Sequence, residues 1–300
     1  MLKRYETKRI LALVVAFGNE RILKDTLSAV CPQLASGDEL WVVDNSASLS
    51  PKDATKFAAC PLQVLRGGGN LGFCKGNNVG LEAGKWRDFK YVLLLNPDLV
   101  LPDGWIDRAI TRMEGFESNR IGVLSGPLLK YDFASGRPTG AVDSLGIARS
   151  RLSGLWYDAG SGEPYEKFES ELADEIDVAA VCGALMLIPT QVVSEVIDGH
   201  QLFDERFFAY KEDIDLSLRI RNAGWRLVLA KSLSAYHGRG WAATRASVPF
   251  KLRALSARND VILNIKHRSP YVCLSLLKLL YVFTIERLLA KRKQPARSRA

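Results

Sequence analysis

Acidic and amide side chains follow three short apolar runs in the first hundred residues of the chain. Asp44 comes after ELWVV, Asn70 follows the run that begins at Leu62, and Asp98 comes after YVLLL. A carboxylate at Asp98, beside Asn96, supplies the hard oxygen atoms that a divalent cation on a diphosphate requires. The Asp44 carboxylate can accept the imide N–H of a pyrimidine base. A turn that ends a strand explains each of these residues without a ligand.

A segment rich in glycine and asparagine, NLGFCKGNNVG, spans residues 70–80. We predict that it joins a loop to a helix from about Gly76 to Trp86. Glycine lets a ligand approach the backbone, and a helix N-terminus favours phosphate. The spacing is neither the dinucleotide fingerprint nor the P-loop, and a tight turn capped by asparagine is the structural alternative. The candidate ligand-binding residues of this segment are Asn70, Gly72, Asn77 and Asn78.

A pair of acids, Glu212 and Asp213, begins a predicted helix, and His237 lies downstream in a loop with Arg239. A carboxylate is a candidate general base, although acids in a first helical turn are also stabilised by the helix dipole. His237 follows a short predicted strand and precedes a flexible loop, Gly238-Arg239-Gly240, in which Arg239 adds a positive group. A lone histidine is more often structural.

Fully apolar strands alternate with amphipathic helices over the first hundred residues. The predicted strands are 9–16, 39–43, 62–65 and 91–95, with helices at 20–34 and 76–86. This alternation predicts an α/β fold with a mostly parallel sheet covered by helices on both faces. Such sheets bind ligands outside the carboxyl ends of their strands, where Asp44, Asn70 and Asp98 fall.

The second half of the chain is less regular. Residues 130–175 are rich in glycine, serine, aspartate and proline, and we expect an irregular insertion that can include a short hairpin. Such stretches often shape an acceptor site, and a plain surface loop is the alternative. Further elements are predicted at 179–188, 191–197, 214–222 and 226–229, and Gly224 is expected to end a helix. Residues 249–289 are predicted to be helical with a break at Pro270. We therefore divide the chain into residues 1–240 and a helical C-terminal region, residues 241–300.

The formal net charge is +8, and much of the excess lies in the last residues, Arg287, Lys291, Arg292, Lys293, Arg297 and Arg299. These follow an apolar stretch from Tyr271 to Leu289 that Lys278 interrupts. The pattern favours a helix lying on a membrane surface over one that spans it, and a helix packed on the domain is the alternative. No nucleic-acid-binding pattern stands out. The five cysteines are odd in number with no CxxC spacing, so we expect reduced thiols, and no apolar signal segment opens the chain.

Three stretches, NLGFCKGNNVG, LLLNPD and FDERFFAYKEDIDLSLRIRNAGW, occur in an order that resembles the bacterial inverting glycosyltransferases of family 2, and more narrowly their rhamnosyltransferase group. The resemblance runs from about Ile10 to His237 and weakly through Arg258-Asn259. It implies a GT-A fold, which is a Rossmann-like α/β domain, here followed by a C-terminal helical extension. Asn96 stands where the family has the first Asp of its DxD metal motif, and Phe17-Gly18-Asn19 stands where it usually has Tyr-Asn.

The resemblance also implies residue roles. Asp44 would contact the donor base, Asp98 and His237 would hold Mg²⁺ or Mn²⁺, and Asp213 of the Glu212-Asp213 pair would be the catalytic base. The implied donor is dTDP-L-rhamnose, or a UDP-sugar as the next choice. The implied acceptor is a glycan or a lipid-linked glycan in cell-surface polysaccharide or lipopolysaccharide synthesis. The implied location is cytoplasmic, peripheral on the inner face of the cell membrane.

Two other classes of protein remain as alternatives. A sugar-phosphate nucleotidyltransferase would have a Gly-rich loop with Arg and Lys directly after the first strand, but this strand ends in FGNE. A non-catalytic, membrane-associated sugar-binding scaffold with a decayed site would be expected to have lost some of the acids and the histidine, which are all present.

Overall fold

The computed structural model describes residues 8–18, 20–46, 60, 62–115, 120–238 and 248–288. Its strands are β1 (Lys8–Ala16), β2 (Glu39–Asp44), β3 (Leu62–Arg66), β4 (Phe89–Leu95), β5 (Leu99–Val100), β6 (Ile121–Ser125), β7 (Leu128–Asp132), β8 (Arg137–Ser144), β9 (Ile147–Arg149), β10 (Trp156–Asp158), β11 (Glu175–Asp177), β12 (Leu185–Pro189), β13 (Arg226–Ala230) and β14 (Ala235–His237). Its helices are α1 (Glu20–Val30), α2 (Gly72–Ala83), α3 (Trp105–Gly115), α4 (Glu166–Glu169), α5 (Thr190–Val196), α6 (Glu212–Asn222), α7 (Phe250–Lys266) and α8 (Val272–Tyr281), followed by a π-helical turn at Val282–Glu286.

An eight-stranded sheet with the order β11-β13-β6-β12-β4-β1-β2-β3 forms the centre of the protein. β1 pairs in parallel with β2 and β4, β2 with β3, and β13 with β6. The strands β12 and β11 are antiparallel to their neighbours. The middle strands are apolar on both faces because helices cover both, and β1 is buried from Leu11 to Val14. The predicted α/β fold is thereby confirmed.

The predicted start of helix α2 is wrong by four residues, since the helix begins at Gly72 instead of Gly76. Gly72 adopts a φ of +77°, and a Cβ there would lie 2.6 Å from the ring of Phe208. Only glycine satisfies both conditions without strain. The glycines of this segment therefore allow close packing at the helix start, whereas sequence patterns associate them with loops.

The predicted irregular insertion is ordered. Within residues 130–175 the strands β7 and β8 join β5 and β14 in a second sheet of order β5-β14-β7-β8, and β9 pairs with β10 as a hairpin. In this second sheet His237 pairs with Leu99 across β14 and β5. The strand that ends at His237 is thereby held beside the residue that follows Asp98.

The C-terminal helices pack on the rest of the protein. The predicted break at Pro270 is confirmed, because it lies between α7 and α8. Leu263 of α7 belongs to the main hydrophobic core, and Val282 packs on the α7 residues Ala254 and Ala257. The boundary drawn at residue 240 lies outside the described residues and stays a prediction.

The expectation that every cysteine is reduced is wrong for one pair. Cys31 and Cys60 form a disulfide with a Cα–Cα distance of 5.3 Å. Cys31 follows α1 and Cys60 precedes β3, so both lie toward the amino ends of the parallel strands. Sequence spacing alone does not reveal that proximity, because the pair is separated by 29 residues.

Candidate functional site

Asp98 and His237 meet where β4 ends. The Oδ1 atom of Asp98 lies 3.2 Å from Nε2 of His237, and the side-chain amide nitrogen of Asn96 lies 3.3 Å from the same Nε2. The pairing of β5 with β14 produces this contact, and the backbone N–H of Gly238 donates to the carbonyl of Asp98 at 2.8 Å. The structure thus brings together all three residues that the sequence associates with the diphosphate and its metal.

Asp143 is a member of this cluster that sequence reasoning missed. Its Oδ2 atom lies 2.8 Å from Nδ1 of His237, and both side chains are almost completely buried. Burial alone would lower the pKa of His237, but the hydrogen bonds to Asp143 and Asp98 outweigh it and raise the pKa to about 9. Asp143 lies on β8 in a segment with no recognisable motif, so only the fold reveals it.

The Asp98–His237 pair has the donor atoms for a divalent cation. Its oxygen and Nε2 face each other, and Asp143 fixes the ring through the opposite nitrogen, as carboxylates commonly do behind histidine ligands. No group of three or more His, Cys, Asp or Glu residues suited to a metal occurs in the described part of the chain. Two protein ligands fit a Mg²⁺ or Mn²⁺ ion that takes its remaining ligands from substrate phosphates and water.

Asp213 is held at the start of α6 by backbone hydrogen bonds to both of its carboxylate oxygens. The N–H of Gly183 donates to Oδ2 at 3.1 Å, and the N–H of Ile214 donates to Oδ1 at 2.8 Å. Burial raises the pKa of Asp213, while these two backbone bonds and the charge of Lys211 act in the opposite direction. The result is a fixed carboxylate with a raised pKa, which is the property a general base needs near neutral pH.

Glu212 is buried beside Asp213 but in a different environment. Its Oε2 atom has no hydrogen-bond partner among the residues that the structure describes. Burial, followed by the charge of Asp213, raises the pKa of Glu212 well above its ordinary value. Asp213 differs from Glu212 in that both of its carboxylate oxygens are held, one by the N–H of Gly183 and the other by the N–H of Ile214.

A cavity of about 420 Å³ joins these groups. Asn96, Asp98 and His237 line it together with Glu212 and Asp213. Sequence-distant residues from the ends of β4, β14 and α6 therefore face one space. The cavity can accommodate a charged group at the Asp98–His237 pair and a proton-transfer reaction at Asp213.

The segment that leads into the acid pair is strained. Phe208 has φ 62° and ψ −59°, with a 2.7 Å hydrogen bond from the N–H of Ala209 to the carbonyl of Phe207, which defines a γ-turn of the rare positive-φ type. Tyr210 and Lys211 also have positive φ, at 74° and 73°. Such conformations persist only where surrounding contacts enforce them.

Asn259, on α7, makes the contacts that stabilise these backbone conformations. Its side-chain amide donates to the carbonyls of Phe207, Ala209 and Tyr210 at 2.7, 2.8 and 2.9 Å. Arg258 adds a 2.8 Å bond to the carbonyl of Arg206. The Arg258-Asn259 pair is the weak C-terminal part of the sequence resemblance, and the structure shows what this pair contacts.

Replacing Asn259 with alanine is expected to lower the free energy of unfolding by about 3 kcal/mol. The substitution removes the amide group that donates to the carbonyls of Phe207, Ala209 and Tyr210. Urea unfolding measures the change. Asn259→Asp should be at least as destabilising, because a carboxylate would face the carbonyl oxygens. Lys251→Ala, at an exposed position of the same helix, is the control. An Asn259→Ala protein as stable as the control would contradict the clamping role.

At the predicted phosphate site, the start of α2, backbone N–H groups of the helix are hydrogen-bonded to a carbonyl of the protein itself. The N–H groups of Phe73 and Cys74 donate to the carbonyl of Phe208 at 2.7 and 3.1 Å. Asn70 is exposed and its Oδ1 atom accepts from the N–H of Gly72 at 3.0 Å. Because the carbonyl of Phe208 takes the free N–H groups, this helix start does not offer them to an anion. Phosphate binding there, through Asn70 and Gly72, stays a prediction.

Asn77 and Asn78 lie inside α2 and not at its start, and their predicted role in binding a ligand stays a prediction. Asn78 exchanges two hydrogen bonds with the backbone of Phe203, at 2.8 and 2.9 Å. The amide of Asn77 donates to the carbonyl of Phe73 at 2.9 Å. Asn78 therefore links α2 to the segment at Phe203, whereas the hydrogen bond of Asn77 lies within α2.

Asp44 ends β2 and is completely buried, and its Oδ1 atom accepts from the N–H and the hydroxyl of Ser46 at 2.9 and 2.7 Å. It lies at the predicted edge of the sheet but does not line the cavity that contains Asp98. Its role toward the donor base stays a prediction. Arg239 lies outside the described residues.

The fold is similar to solved glycosyltransferases of the GT-A class. GalNAc-T7, solved with UDP, GalNAc and Mn²⁺, gives a TM-score of 0.58 at 14% identity, over 93% of this chain and 58% of that one. The mannosyltransferase PcManGT from Pyrobaculum calidifontis, solved with GDP-Man and Mn²⁺, gives 0.55 at 13% identity, over 96% and 76%. At these identities the similarity shows the GT-A fold alone.

A family model described as glycosyltransferase-like family 2 matches residues 8–257, and the chain belongs to that family. It is a glycosyltransferase. Rhamnosyltransferase WbbL of Escherichia coli (strain K12) is 28% identical over 232 residues, which cover 75% of this chain and 81% of the relative. The N-acetylglucosaminyl-diphospho-decaprenol L-rhamnosyltransferase of Mycobacterium tuberculosis (strain ATCC 25618 / H37Rv) is 29% identical over 208 residues, 65% of each protein. The rhamnosyltransferase-like resemblance is thereby confirmed.

Proposed function

We propose that the chain transfers a hexose from a nucleotide-diphosphate sugar to an acceptor hydroxyl, with inversion at the anomeric carbon. The observation that supports this proposal most strongly is the position of Asp213. Two backbone N–H groups fix its carboxylate in the same cavity as the Asp98–His237 pair. dTDP-L-rhamnose is the first candidate donor, supported by the names of the two relatives, and a UDP-sugar is the second. The proposed acceptor is a glycan or lipid-linked glycan of cell-surface polysaccharide or lipopolysaccharide synthesis.

The proposed mechanism is a single displacement. Asp213 accepts the proton of the acceptor hydroxyl while that oxygen attacks the anomeric carbon, and the bond from this carbon to the nucleotide diphosphate breaks. Attack from the side opposite the leaving group inverts the configuration. The backbone bonds from Gly183 and Ile214 keep the carboxylate in place for the proton transfer.

Asp98 and His237 would hold a Mg²⁺ or Mn²⁺ ion. When bound, such an ion neutralises the negative charge that develops on the leaving diphosphate. Asp143 keeps Nε2 of His237 directed at Asp98 by binding the opposite ring nitrogen. Since a histidine ligates a metal through a deprotonated nitrogen, the raised pKa of His237 means that the cation competes with a proton.

The direct test is product formation. The protein would be incubated with Mn²⁺, an N-acetylglucosaminyl acceptor and either dTDP-L-rhamnose or a UDP-hexose, and NMR would give the anomeric configuration of the product. We expect a glycoside of configuration opposite to the donor. A product of retained configuration would exclude the displacement mechanism, and nucleotide binding without any product would favour the decayed scaffold.

The rate of transfer is expected to rise with pH as Asp213 loses its proton. Because burial raises the pKa of Asp213, the acidic limb of kcat/KM should lie above the range of an exposed aspartate, which is about 3.9. The position of this acidic limb can be measured from transfer rates between pH 4 and 8, within the range where nucleotide binding is constant. A profile that is flat down to pH 4 would contradict the assignment of a buried base.

A peripheral membrane location at the inner face of the cell membrane is also proposed. None of the helices within the described ranges combines the length and apolar sequence needed to cross a bilayer. However, α8 and the turn after it expose a row of large apolar side chains, Leu274, Leu276, Leu277, Leu280, Tyr281, Phe283, Ile285 and Leu288. Basic residues follow directly in the sequence. Apolar area beside basic charge is the combination that binds anionic lipid surfaces.

We expect the protein to sediment with vesicles of anionic phospholipid, and the variant with both Leu277→Glu and Leu280→Glu to lose at least about 90% of this binding, since two charges would enter the apolar interface. The double variant Leu152→Glu with Leu155→Glu controls for added charge. Equal sedimentation of the wild-type protein and the α8 variant would contradict the membrane role of α8.

A further inference from the structure

The hairpin formed by β9 and β10 contributes residues to the cavity that the Asp98–His237 pair also lines. Ile147, Trp156, Tyr157 and Asp158 all line the cavity that also contains Asp213. None of these hairpin residues belongs to a motif of the sequence. They therefore add an aromatic and acidic wall to a site otherwise built from the ends of the central strands.

The indole of Trp156 is held rigidly. The guanidinium of Arg149 lies 5.1 Å from the centre of the Trp156 ring and 4.6 Å from that of Tyr271. Arg149 is anchored in turn by bonds to Asn264 at 2.7 Å and Ser269 at 2.6 Å. Nε1 of Trp156 is buried without a hydrogen-bond partner in the portion of the chain that the structure describes. A ring fixed in this way is a preformed platform for a flat apolar surface.

Asp158 supplies the negative charge of this wall. Burial is the main cause of the raised pKa of Asp213. The negative charge of the nearby Asp158 carboxylate raises that pKa further. Two acids on this side of the cavity repel the phosphates of a donor. They favour a neutral ligand with several hydroxyls, each of which can donate a hydrogen bond to a carboxylate.

We propose that Trp156 and Asp158 form the acceptor subsite and that this subsite takes the pyranose ring of a sugar. The C–H face of the ring packs on the indole, and Asp158 accepts a hydrogen bond from a hydroxyl next to the one that Asp213 deprotonates. This proposal rests on the proposed function and adds the residues that bind the acceptor sugar. The diphosphate of the donor occupies the opposite end, at Asp98 and His237.

The test separates acceptor binding from donor binding. Transfer would be measured with octyl N-acetyl-β-glucosaminide, octyl glucoside and octyl galactoside as acceptor probes, alongside nucleotide affinity and nucleotide release without acceptor. Trp156→Phe and Asp158→Asn should each raise the acceptor KM by about tenfold, with kcat within about threefold and nucleotide affinity unchanged. Trp156→Phe keeps an aromatic ring, so thermal melting should stay near that of the wild type.

Leu152→Ala is the matched control, because Leu152 is 94% exposed at the tip of the same hairpin. An unchanged acceptor KM in both variants would overturn the acceptor subsite, and so would a wild-type enzyme that releases nucleotide but accepts none of the pyranosides. Failure of the wild-type protein to bind any nucleotide would instead contradict the proposed function.

Discussion

Replacing Asp213 with asparagine is expected to lower the rate of transfer by about 10³-fold and to leave the affinity for the donor nucleotide unchanged. The substitution keeps the size of the side chain and its acceptor for one of the backbone N–H groups of Gly183 and Ile214. It removes the ability to take a proton from the acceptor hydroxyl. Steady-state transfer and calorimetric nucleotide binding measure the two effects separately.

The neighbouring acid provides the sharpest comparison. Burial raises the pKa of Glu212 well above its ordinary value, and Glu212→Gln keeps the size and shape of this buried side chain. We expect Glu212→Gln to retain transfer within about tenfold of the wild type. Asp198→Asn, at an exposed position, controls for charge loss. Loss of transfer in Glu212→Gln with retention in Asp213→Asn would assign the base to Glu212.

Asp98→Ala is expected to lower the rate of transfer by about 10²–10³-fold, comparable to the loss of one group that stabilises charge in a transition state. Unlike Asp213→Asn, it should also abolish the dependence of nucleotide affinity on Mn²⁺, because only His237 remains of the two proposed metal ligands. The measurement is calorimetric titration of the nucleotide at several Mn²⁺ concentrations.

Asp103→Ala controls for the removal of an acid from the same loop region, since Asp103 is exposed. Thermal melting checks that Asp98→Ala is folded. We expect a normal melting temperature, because the N–H of Gly238 bonds to the backbone carbonyl of residue 98, which the substitution keeps. Metal-dependent nucleotide binding that survives in Asp98→Ala would place the metal elsewhere in the protein.

The sequence predicted the elements whose side chains are buried on both faces. Continuous apolar runs located β1, β2 and β4, and Pro270 located the break between α7 and α8, since these signals are local. The β7–β10 region was missed because its strands are short and partly exposed, so their composition looks like that of a loop. Their stability comes from pairing with distant strands such as β14.

The candidate site was predictable where a motif marks a strand end or a helix start. Asp98, His237 and Asp213 all line the cavity, as expected from their positions. The start of α2 was placed four residues too late because a run of glycine and asparagine gave no indication that the helix starts at Gly72. Asp143, Asn259 and Trp156 act through contacts between distant segments, which no local pattern encodes.

The central claim is that the end of the cavity at Asp98 and His237 binds a nucleotide diphosphate together with a divalent cation. Calorimetric titration of dTDP, UDP and GDP, each with Mn²⁺ or Mg²⁺ and again with EDTA, tests it most directly. We predict that one nucleotide, with dTDP as the first candidate, binds with the cation and loses most of its affinity with EDTA. Absence of binding by all three nucleotides under every condition would contradict the account.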